Sequence, residues 1–111
     1  MSEAMSLGVP TIATSYSGNM DFMNSDVSVM VPWSYCNVGL GAGPYDPQAR
    51  WADPNLHEAG RAMRRLFENI DDGKRLGLLG RSYLESRFSG QSCGKRMLAR
   101  LREIEMRMGH A

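Results

Sequence analysis

Few side chains in this sequence are of a type that does chemistry, and their spacing removes most readings of them. Cys36 and Cys93 stand far apart with no CxxC and no paired histidine spacing, so neither a zinc site nor a disulfide framework is suggested. They read as reduced cytosolic thiols. A nucleophilic cysteine needs a nearby base, and the two histidines, His57 and His110, have no spacing that pairs them with either thiol. His57-Glu58 begins like a metalloprotease helix, but Arg61 occupies the place of the second histidine. Gly39-Leu40-Gly41-Ala42-Gly43-Pro44 imitates a dinucleotide fingerprint, yet proline stands where the third glycine must allow a helix to pack.

Glu3 is left as a lone carboxylate ahead of a short helix and a β-branched run. A carboxylate accepts hydrogen bonds from two neighbouring hydroxyls at once, as a ribose offers them. The competing reading is an acid that merely stabilises a helix N-terminus through the helix dipole. Ser17, Gly18 and Asn19 follow the carboxyl end of that run, the side on which open α/β sheets bind ligands. Gly18 and Asn19 equally suit a turn that requires positive φ. Tyr45, Trp51 and Asp53 read as packing and helix capping.

The elements that must position these residues follow from pattern. Ser2 is the expected cap of a helix over residues 3–7, with Gly8 as its left-handed stop. Pro10 to Thr14 and Val27 to Val31 read as strands rich in Val, Ile and Ala without alternation, as in strands covered on both faces. One helical turn is expected at Met20 to Met23. Residues 33–54, with glycines and prolines at no fixed period, read as a long loop that Trp33, Tyr35, Tyr45 and Trp51 hold in order. Asp53-Pro54 is the expected start of a helix whose buried stripe is Leu56, Ala59, Met63, Leu66, Phe67 and Ile70. A second helix, about 73–87, is expected to bury Leu76, Leu79 and Tyr83. A third, capped by Ser89, carries the stripe Cys93, Met97, Leu101, Ile104 and Met108. The division is thus 1–32 for the sheet end, 33–54 for the loop and 55–108 for the helices.

At 111 residues, 42% hydrophobic and 23% charged, the chain has the size and composition of one soluble globular domain. Val27 to Ala49 is broken by Pro32, Pro44 and Pro47, which excludes a membrane-spanning helix there, and Glu3 stands where a secretion signal needs basic residues. A cytoplasmic location is expected. The net charge of +1 hides an asymmetry: residues 1–54 carry one arginine against five acids, residues 55–111 twelve basic groups against seven. Because Arg61, Arg64, Arg65, Arg96, Arg100 and Arg107 are interleaved with Glu58, Glu68, Glu103 and Glu105, this half reads as solvated helix faces, with no nucleic-acid partner.

The opening, Ser2-Glu3-Ala4-Met5-Ser6-Leu7-Gly8-Val9-Pro10-Thr11-Ile12-Ala13-Thr14, closely resembles the retaining GT-B glycosyltransferases, a large family with an E-x7-E motif followed by "EAMALGKPVIAT" and a Ser-Gly-Asn turn. Tyr16-Ser17-Gly18-Asn19 matches the turn, and Trp51-Ala52-Asp53-Pro54 resembles the "WADPD" segment before the family's last helices. The likeness runs from Ser2 to about Ile104. It implies an α/β fold, the C-terminal part of a Rossmann-like nucleotide-sugar-binding domain with two short parallel strands followed by three helices. It also implies transfer of a sugar from a nucleotide-sugar to an acceptor with retention, without a metal or other cofactor. Glu3 matches the second Glu of E-x7-E, implied to hold the ribose hydroxyls, with Ser17, Gly18 and Asn19 facing the donor. The first Glu, the basic pair for the diphosphate and the acceptor domain would lie upstream, so Met1 is expected to mark a truncated reading frame, and no catalytic residue is assigned. The implied partners are the donor, an acceptor, the missing N-terminal domain of the same protein and, peripherally, a membrane surface. The reading from another class is a free-standing helical protein-interaction module without catalysis.

Overall fold

The computed structural model describes residues 1–109. Helix α1 (Ser2–Ser6) leads to strand β1 (Ile12–Thr14), a 3-10 turn (Ser17–Asp21) and strand β2 (Val29–Val31). Strands β3 (Trp33–Asn37) and β4 (Arg50–Pro54) precede helices α2 (Leu56–Glu68), α3 (Ile70–Phe88) and α4 (Gly90–Met108). The chain is mixed α/β with two small sheets. β1 and β2 pair in parallel, from Ile12 opposite Val29 to Thr14 opposite Val31.

Two local expectations change at α1. Met1 takes the N-cap position and Ser2 lies inside the helix, with no side-chain cap. Gly8 does end the helix, at a φ of 74°, its N–H donating to the Met5 carbonyl at 2.9 Å.

Residues 33–54 are not a loop throughout. β3 and β4 form an antiparallel hairpin, from Trp33 opposite Pro54 to Asn37 opposite Arg50. The connection 38–49 is closed by Val38 N–H to the Ala49 carbonyl at 2.8 Å and Gly39 N–H to the Pro47 carbonyl at 3.0 Å, with Gly39, Gly41 and Gly43 all at positive φ. The glycines that hide the strands from a periodicity reading are those that let the connection turn. Asp53 and Pro54 consequently belong to β4, and Asn55 caps α2 by accepting from Glu58 N–H at 3.1 Å.

The core is small: Met5, Met23, Val27 and Leu84, flanked by Ala13, Phe22, Met30 and Tyr83. α3 meets it along Gly73, Gly77 and Gly80 together with Leu76 and Leu84, whereas Leu79 is exposed and Tyr83 half-buried. Glycines at i, i+4 and i+7 make one flat helix face, against which the backbone after α1 packs closely.

The expected buried stripes of α2 and α4 are largely in solvent. α2 buries only Ala62, leaving Leu56, Met63 and Phe67 exposed, and Ile70, expected on the same stripe, instead starts α3 and is also exposed; Ala59 and Leu66 are half-buried. α4 buries nothing, and Met97, Leu101, Ile104 and Met108 are exposed; only Ser92 and Cys93 near its start are half-buried. A two-stranded sheet has too little surface to cover three helices. The radius of gyration is 18.8 Å and the extents are 56 × 43 × 19 Å, against about 13 Å for a compact chain of this length.

Candidate functional site

Glu3 sits in the first turn of α1, and its carboxylate stands in solvent, 88% exposed. Ser2 Oγ donates to it at 3.3 Å and the terminal ammonium of Met1 approaches to 3.4 Å. Its own backbone N–H, that ammonium and the Ser2 hydroxyl lower the pKa of the carboxyl below the ordinary value. The group is therefore ionised at neutral pH, without a buried cation to consume its lone pairs.

Glu3 lines a groove of about 320 Å³ with Ser2, Ser6, Leu84, Glu85, Phe88 and Ser89. α1 supplies Glu3 and two hydroxyls; the end of α3 supplies the apolar wall and the second carboxylate. Glu85 accepts from Arg81 at 2.7 Å, and the pair raises the pKa of Arg81. The groove thus holds two engaged carboxylates, Glu85 with Arg81 and Glu3 with Ser2 and the terminal ammonium, beside three serine hydroxyls and an aromatic ring. That combination suits a polyhydroxylated ligand, whose hydroxyls donate to the carboxylate while an apolar face lies on Leu84 and Phe88.

Ser17, Gly18 and Asn19 do not line this groove. They begin the 3-10 turn after the carboxyl end of β1. Ser17 is the residue at positive φ, 65°, while neither Gly18 nor Asn19 takes that conformation, which removes the turn-geometry reading of those two. The Asn19 amide donates to the Thr14 carbonyl at 2.9 Å and approaches Met23 Sδ at 3.8 Å, so this side chain holds the turn to β1. Around Gly18 an added Cβ would meet nothing within 4 Å.

An aromatic cluster beside this turn was hidden in the sequence by the apparent loop. Trp33 lies 4.6 Å from Tyr16 and 4.7 Å from Tyr35, both edge-on, and Arg50 stacks over Tyr35 at 4.5 Å. Trp33 Nε1 donates to the Ser15 carbonyl at 2.6 Å, and Ser15 N–H donates to the Val31 carbonyl at 2.9 Å, tying the hairpin to the carboxyl ends of the parallel strands. The alternation of Trp33 and Tyr35 on one strand face was the available signal. Trp51, on the opposite face, donates to Cys36 Sγ at 2.9 Å, and Tyr45 is exposed.

Among the described residues no group of three or more His, Cys, Asp or Glu side chains could hold a metal ion. His57 faces its neighbour Glu58 at 3.4 Å, and His110 lies outside the described residues. No helix among the described residues is long and apolar enough to cross a membrane. No protein-family model, curated protein or solved structure matches the chain.

Proposed function

We propose that this chain supplies the C-terminal part of the Rossmann-like donor domain of a retaining GT-B glycosyltransferase, an enzyme that moves a sugar from a nucleotide-sugar to an acceptor. The observation that carries the reading is the exposed, ionised Glu3 carboxylate in a groove with Ser2, Ser6 and Phe88, added to the sequence likeness around Glu3. Glu3 accepts the two ribose hydroxyls, and the Ser17, Gly18 and Asn19 backbone lies at the ligand-binding end of the parallel strands. The rest of the donor site, the acceptor site and the catalytic groups come from an N-terminal domain of the same protein, so the chain by itself turns nothing over.

Saturation-transfer NMR with a panel of nucleotide-sugars tests this. Ribose protons should receive saturation from the wild-type chain and lose it in Glu3→Gln. Ribose signals of equal strength in both would remove Glu3 from the site. A panel that shows no binding at all would favour a protein-interaction module, the reading supported by the uncovered apolar stripe of α4.

A further inference from the structure

Between Ser86 and Arg102 the sequence holds five basic residues, Arg87, Lys95, Arg96, Arg100 and Arg102, and no acid. The alternation of sign along the second half of the chain stops over this stretch. Three of the five converge where α3 meets α4: Arg87, Lys95 and Arg96 line one groove of about 360 Å³ together with Ser86 and Ser92. No carboxylate lines it, and Glu85, the nearest acid in the chain, is held by Arg81 at 2.7 Å.

We propose that this groove binds a phosphate monoester. The Arg87 guanidinium lies 5.0 Å from the Tyr83 ring and that of Arg96 5.4 Å from the Phe88 ring, so both are held in place before a ligand arrives. Within the fold Arg96 uses only Nη2, for the Arg87 carbonyl at 2.7 Å and Cys93 Sγ at 3.5 Å, which leaves Nη1 and Nε to a ligand. Lys95 has no ion-pair partner among the described residues. The two hydroxyls have already spent their protons: Ser86 Oγ donates to the Tyr83 carbonyl at 2.9 Å and Ser92 Oγ to the Ser86 carbonyl at 2.8 Å. Every side-chain donor left at the groove therefore carries a positive charge.

That set selects the ligand. Without an anion the three cations only repel one another. A carboxylate brings one charge and two oxygens, whereas a phosphate monoester brings a charge of about −1.5 to −2 and three acceptor oxygens, enough to answer all three. A purely structural role at the carboxyl end of α3 accounts for Arg87 and Arg96. It leaves out Lys95, which the fold does not use. The ester is carried by a soluble compound or by a lipid headgroup, one chemistry from two sources. The site is independent of the glycosyltransferase reading, since it shares no lining residue with the Glu3 groove.

Isothermal calorimetry of the full chain with glycerol 3-phosphate, and flotation with phosphatidylcholine vesicles carrying phosphatidic acid, test the site and separate the sources. Saturable binding in at least one arm is expected, weakened about tenfold by Lys95→Gln. That substitution breaks no bond of the fold, so its melting midpoint should equal that of the wild type. Arg96→Gln should lower the affinity as well, while also loosening the junction of α3 and α4. The matching diesters, dimethyl phosphate and phosphatidylglycerol, carry a single charge and should bind about tenfold more weakly than the monoesters. Binding in neither arm, binding that survives Lys95→Gln and Arg96→Gln together, or equal affinity for the diesters would overturn the proposal.

Discussion

Gly77 in α3 packs against the carbonyl group of Gly8: a Cβ on residue 77 would stand 2.7 Å from the Gly8 carbonyl carbon and closer still to its oxygen. The obstacle is backbone, held by the left-handed turn at Gly8 and by the hydrogen bond from Val9 N–H to the Ala4 carbonyl at 2.9 Å. Gly77→Ala should destabilise the chain by about 3 kcal/mol, because a methyl group there forces α1 from α3. Gly60→Ala, where an added Cβ meets nothing within 4 Å, should be neutral or stabilise by up to about 1 kcal/mol. Urea titration separates the two; equal midpoints would show that the helices do not meet at Gly77.

Leu84 and Met5 belong to the same small core. Leu84→Ala should cost about 2–4 kcal/mol by leaving a cavity that the backbone of α1 cannot fill. A loss below about 1 kcal/mol would place Leu84 outside the cooperative unit. The same substitution at Leu101 should change the melting of the 1–89 region little, since Leu101 is 56% exposed.

Thr11 is 8% exposed and its Oγ1 is buried without a hydrogen-bond partner among the described residues. Thr11→Val keeps the shape and removes the orphaned hydroxyl, so it should stabilise the chain by about 1 kcal/mol. Differential scanning calorimetry reads this as a raised midpoint; a lowered one would mean that water satisfies the hydroxyl.

The Trp33 indole is fixed by its bond to the Ser15 carbonyl at 2.6 Å. Trp33→Phe keeps a ring against Tyr16 but loses that donor, and should cost about 1 kcal/mol. Amide exchange at Ser15 and in the β3–β4 hairpin should rise together. Unchanged exchange would mean that the hairpin holds its place without the indole.

The proposed binding of a nucleotide-sugar through Glu3 should have a definite pH dependence. The carboxyl pKa is lowered in the folded chain, so the acceptor form is complete above the ordinary carboxylate value of about 4.3 and is lost only as pH falls through the lowered one. Affinity should stay flat from about pH 5 to 8 and drop in acid. Its loss in Glu3→Gln should be roughly tenfold at neutral pH, the difference between a charged and a neutral acceptor. Affinity that titrates near neutrality would point to a group other than Glu3.

Local chemistry was legible wherever it is set by neighbours in the chain. The stop at Gly8, the β-branched strands at β1 and β2 and the helical second half need only nearest-neighbour sterics and period, and each was visible from residue types. Glu3 could be singled out, but not the groove around it, because Leu84, Phe88 and Ser89 reach it from the far end of α3. The β3–β4 hairpin was lost for a related reason: its pairing crosses residues 38–49, and neither strand is long enough to announce itself. Tertiary structure also decided which faces are buried. An amphipathic stripe states that a face seeks cover, and for α2 and α4 that demand is written clearly in Met63, Phe67, Leu101 and Ile104. It does not supply the cover. In α3 the order is reversed, since Gly73, Gly77 and Gly80 carry no hydropathic signal and yet form the contact, because close approach of two backbones depends on missing volume and not on apolar area.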